Sequence, residues 1–78
     1  MAEGGTEEAW AAPSGGILKA ELKRKGVTYA QLVEKLAAIG VRETEPNVRN
    51  KLARGKFTTV FFIQVLTATG ARDIRLDT

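Results

Sequence analysis

The chain has 78 residues, with 12 Lys and Arg against nine Asp and Glu, and contains neither Cys nor His. That length allows one domain, with little surplus stability unless the fold is compactly helical or gains burial from a partner, and it disfavours a large enzyme cleft. Without Cys or His there is no disulfide, thiolate zinc site, thiol nucleophile or imidazole base, so the expectation is a protein that is not an enzyme and carries no metal or other cofactor.

The net charge of +3 hides an asymmetry. Residues 1–16 hold Glu3, Glu7 and Glu8 and no base, which leaves 12 bases against six acids in the rest. Such a balance attracts polyanions, although a basic surface can also serve solubility alone. The start, Met1-Ala2-Glu3-Gly4-Gly5, has no basic n-region or apolar h-region, and no apolar run approaches the roughly 20 residues needed to span a bilayer. A cytoplasmic location is the expectation.

Residues 1–16 are rich in Gly and Ala and poor in large apolar side chains, which predicts a flexible acidic N-terminal arm ahead of a domain over 17–78. Trp10 within it is either solvated or docked on the body or on a partner. From Ile17 the side chains Ile17, Leu18 and Leu22 share one arc while Lys19, Lys23 and Arg24 point elsewhere, a helix stopped at Gly26. Thr28-Tyr29-Ala30-Gln31 matches a capping box and opens a second helix, whose apolar set is Tyr29, Leu32, Val33, Leu36 and Ile39 and whose stop is Gly40.

Val41-Arg42-Glu43 reads as a turn, and Thr44 as the N-cap of a third helix with Glu45 and Pro46 in its first turn and Gly55 at its end. At about 100° per residue, Val48 and Leu52 fall on one side of that helix, whereas Asn47, Asn50, Lys51 and Arg54 follow an i, i+3, i+4, i+7 spacing on another. Asn can pair with an adenine edge and Lys or Arg with a guanine edge, so the polar row has the composition of a helix that lies in a DNA major groove.

Thr58 or Thr59 caps a fourth helix that runs to Thr69, with Gly70 behind it. Thr58 to Ile63 is also β-prone, but the cap signals and the helical context favour helix. Phe61, Phe62, Ile63, Val65, Leu66 and Ala68 make this helix apolar nearly all round, more than four short helices can wrap, and dimerisation would supply the cover. Asp73-Ile74-Arg75-Leu76-Asp77 alternates like a short strand that pairs across a two-fold axis. The expected dimer interface is therefore Phe61, Phe62, Val65, Leu66, Ile74 and Leu76.

The fold so read is all-α, a small four-helix bundle with a short C-terminal strand. Gly26-Val27-Thr28-Tyr29-Ala30-Gln31-Leu32-Val33, the stretch Val48 to Leu52, and Arg54-Gly55-Lys56-Phe57 resemble the lambda-repressor-like helix-turn-helix class, over most of residues 17–70. The connection from Gly40 to Glu43, after a second helix that continues through Ala37-Ala38-Ile39, is longer than is usual in that class. The segment Arg49-Asn50-Lys51-Leu52-Ala53-Arg54-Gly55-Lys56-Phe57 also resembles short bacterial proteins of unknown function.

The helix-turn-helix resemblance implies double-stranded DNA as partner, with Asn47, Asn50, Lys51 and Arg54 toward base edges. Thr44 and the third helix's first amides would grip phosphate, and Arg42, Arg49 and Lys56 would add charge along the backbone. The implied function is a bacterial transcriptional regulator or architectural DNA-binding homodimer. The alternative is a protein-interaction module of the same shape that presents its third or fourth helix to another polypeptide.

Overall fold

A computed structural model describes residues 7–76, and every described element is helical: α1 (Glu7–Lys25), α2 (Tyr29–Ala38), α3 (Glu45–Arg54) and α4 (Thr59–Thr69). The first and second helices each pack against both the third and the fourth. Leu18 and Leu22 from α1, Leu32 and Leu36 from α2, Val48 and Leu52 from α3, and Phe61 and Val65 from α4 form one buried cluster. Each fully buried Leu contributes about 1.5–3 kcal/mol of apolar transfer free energy.

The breaks between helices are set locally. Gly26 takes a φ of 66°, and the Val27 N–H donates to the Leu22 carbonyl at 2.9 Å, which closes the end of α1. The capping box then starts α2: the Thr28 hydroxyl accepts from the Gln31 N–H at 3.1 Å, and the Thr28 N–H donates to Gln31 Oε1 at 2.9 Å. Thr58 caps α4 in the same way, accepting from the Phe61 N–H at 3.0 Å.

Two expectations are corrected here. The arm was expected to extend to Gly16, but α1 begins at Glu7 and carries Pro13, Gly15 and Gly16 within it; residues 1–6 lie outside the described residues. Pro supplies no N–H to the ladder and costs about 3 kcal/mol in a helix interior, so propensity alone argues for a break. Packing overrides it. Ala11, Gly15, Leu18 and Leu22 fall on one stripe of α1 and are all buried, and the two small residues let this helix lie against the end of α3. A Cβ built on Gly15 would land on the Leu52 carbonyl oxygen, and one on Gly55 would land on the Ala11 carbonyl. Composition misled because an absence of large side chains reads as an absence of burial, whereas here smallness permits backbone contact.

The second correction concerns the C-terminal strand. Residues 73–76 form none, and Asp77 lies outside the described residues. Alternation gives a strand nothing to bond to, and no other described strand offers an edge. Instead the Ala71 N–H donates to the Leu66 carbonyl at 2.9 Å to finish α4, and Ile74 then lies in a groove beside Phe62.

Candidate functional site

Thr44 has extended backbone angles, and its hydroxyl accepts from the Asn47 N–H at 3.3 Å, which fixes where α3 begins. Pro46 sits in the first turn, and Gly55, at a φ of 67°, ends the helix with its N–H on the Lys51 carbonyl. Val48 and Leu52 are fully buried and so set the roll of α3 about its axis. Counting about 100° per residue from their midpoint, Asn50 points about 180° away, with Asn47 and Arg54 beside it. All three are exposed. The expected amide row is therefore on the surface, centred on Asn50.

Arg49 and Lys51 are different. They lie on the two flanks, about 80° either side of the buried midpoint, and each is held by a carboxylate and laid over a ring. Arg49 Nη2 is 2.8 Å from Glu45 Oε2, with its guanidinium carbon 5.4 Å from the centre of the Tyr29 ring. Lys51 Nζ is 2.6 Å from Glu43 Oε2 and 4.5 Å from the centre of the Phe61 ring. The Arg49 pair is open to water and contributes a few tenths of a kcal/mol at about 0.3–0.5 for an i, i+4 pair. The Lys51 pair is not equivalent, because the Glu43 side chain is only 11% exposed.

Lys51 thus ties the connection before α3 to α4, and releasing it to a ligand would leave a largely buried carboxylate behind. We expect Lys51→Met to lower stability by roughly 1–3 kcal/mol, the usual consequence of stranding one partner of such a pair. Chemical denaturation of Lys51→Met, Glu43→Gln and the double variant checks this: a double variant no worse than Lys51→Met alone is the expected result, and fully additive losses would contradict it.

Arg42, Arg54 and Lys56 are exposed, as are Lys19 and Lys23 on α1. Arg24 is engaged, together with Lys25, by Glu21, whose side chain is buried at the edge of the core. An open groove between the end of α2 and the start of α3 is lined by Arg42, Glu43, Thr44 and Asn47. Among the described residues no group of acidic side chains could hold a metal ion, and no helix is long and apolar enough to cross a membrane.

The expected dimer interface divides. Phe61 and Val65 are buried inside the protomer, so they are core and not contact surface. Their positions, four apart, share the stripe of α4 that is buried most deeply where this helix packs against α1 and α2. Phe62 and Leu66 are half-buried, Ile74 and Leu76 are exposed, and Val60 and Ile63, which were not expected there, are exposed on α4 at 64% and 52%.

Sequence reading missed the clamps on Arg49 and Lys51. The first was legible, since Glu45 and Arg49 are four apart on a helix. The second joins positions eight apart across a turn, and only the folded connection brings them together.

These features define a small all-α domain with a polar helix face and a second, apolar face. Over residues 10–74 the chain matches the family described as a domain of unknown function, DUF6471, and it belongs to that family. No curated protein and no solved structure matches it.

Proposed function

We propose that this protein binds double-stranded DNA through α3, as a small regulator or architectural protein that acts by occupying the duplex. The observation that carries the reading is the outward face of α3, where Asn47, Asn50 and Arg54 stand together opposite the buried Val48 and Leu52. In this reading α2, the connection over 39–44 and α3 serve as a helix-turn-helix of the lambda-repressor-like type. Asn50 and Asn47 take adenine edges, Arg54 takes a guanine edge, and Thr44, Arg42, Arg49 and Lys56 lie along phosphates. Lys51 supports the face from its flank. Two copies would set their third helices in successive major grooves, about 34 Å apart.

The test is duplex binding over a range of salt, with an affinity whose logarithm falls steeply as the logarithm of salt rises. Arg54→Ala should weaken a preferred site by roughly 1–3 kcal/mol and flatten the preference at one base pair. A uniform loss across all sequences would restrict Arg54 to phosphate, and no duplex binding at low salt would end the proposal. The second reading, a module that docks on another polypeptide, is favoured by the exposed Val60 and Ile63 on α4. It gains if the isolated chain binds no duplex.

A further inference from the structure

We infer that the chain self-associates through a knob and a groove on a single face of α1, the knob being Trp10 of one copy and the groove lying between α1 and α4 of the other. This rests on the pairing of two copies but not on DNA binding, since it uses a surface other than the row on α3.

The knob is the indole of Trp10, which is 60% exposed. Its placement within α1 fixes its direction: Trp10, Ser14 and Ile17 stand at i, i+4 and i+7 and so share one face of the helix. Ser14 bonds its hydroxyl to the Trp10 carbonyl at 2.8 Å, which removes a competing polar group from this surface. The groove opens on that face, lined by Ser14 and Ile17 from α1, Phe57, Phe62 from α4, and Ile74 and Leu76 from the tail, with a volume of about 330 Å³. Apart from Ser14 and the two threonines at the start of α4, Thr58 and Thr59, its lining side chains are apolar, and it is large enough for an indole. Leu76, 76% exposed on its rim, is the most open of the large apolar side chains among the described residues.

The occupant follows from symmetry. Along α1 the rise of about 1.5 Å per residue sets Trp10 about 6 Å from the level of Ser14 and about 10 Å from that of Ile17. Knob and groove are thus displaced along one helix and face the same way. A two-fold axis normal to α1 between them turns the helix antiparallel to its mate, and each indole then stands opposite the other copy's groove. The patch is complementary to itself, as an isologous contact requires.

Trp10 is the one tryptophan of the chain, so its fluorescence reports the contact directly. The full chain is examined by sedimentation equilibrium and by emission and acrylamide quenching over a concentration series, beside Trp10→Glu and Leu76→Glu. The expected result is a dimer whose tryptophan emission shifts to the blue and loses quenching as copies associate, with the dissociation constant raised about tenfold or more in each variant. Leu76→Glu retains the fluorophore and alters an exposed side chain, so it decides the matter if Trp10→Glu loses helical circular dichroism. A dimer whose tryptophan stays quenchable and which survives both substitutions would overturn this face while leaving the pairing of copies intact. A monomer at every concentration would overturn both. Duplex binding measured on the same samples stands apart, since its loss or survival bears on α3 and not on this contact.

Discussion

Gly55→Ala should be among the most destabilising single changes in the chain, at about 2–5 kcal/mol when left-handed strain and overpacking are combined. Gly55 has a φ of 67°, and the methyl group would also meet the backbone of Ala11. Gly26 supplies the control, because its φ of 66° is nearly the same but nothing lies within 4 Å of the added carbon. Gly26→Ala should therefore show the conformational cost alone, about 1–2 kcal/mol. Urea denaturation followed by circular dichroism compares the two. Equal losses would mean that α1 is not seated on the end of α3. If the domain's total stability lies near the lower end of the usual range of roughly 5–15 kcal/mol, the larger value would leave a measurable unfolded fraction at room temperature.

Leu36→Ala is the second change expected to be severe. Leu36 is fully buried between α2 and its neighbours, and its carbonyl accepts from the Val41 N–H at 2.9 Å. Removing three buried carbons in so small a core should cost about 2–5 kcal/mol. Ile39→Ala, three residues on and 44% exposed, should cost less than about 1 kcal/mol. Thermal and urea midpoints measure both, with an unchanged dependence on denaturant showing that the same surface is lost on unfolding. A loss below 1 kcal/mol at Leu36 would mean that the core repacks freely. It would also mean that the α2 face is less fixed than its burial indicates.

Helix ends were the most legible part of the sequence, because each is written in a few adjacent residues. Thr28 with Gln31, Thr44 with Asn47, and Thr58 with Phe61 form the hydrogen bonds that their spacing implies. Gly26, Gly55 and Gly70 take the left-handed angles expected behind a helix. The outward Asn47, Asn50 and Arg54 were legible for the same reason, since Val48 and Leu52 fix the roll of α3.

What was illegible depends on contacts between distant positions. Nothing within Ala11-Ala12-Pro13-Ser14-Gly15 states that α3 will lie across it, and the tail's alternation does not reveal that no strand edge awaits it. The apolar excess of α4 was read correctly in amount. Its division into buried Phe61 and Val65 and open Val60 and Ile63 required knowing which side α2 would take.

The contact of Ala11 with Gly55 and of Gly15 with Leu52 makes the first half of α1 a splint for the helix that carries the amide row. A shortened chain cut where the composition changes, before Ile17, would discard that splint along with Trp10. Such a fragment would retain Asn47, Asn50 and Arg54 in sequence while loosening the backbone that aims them, and its failure to act would say nothing about those three side chains.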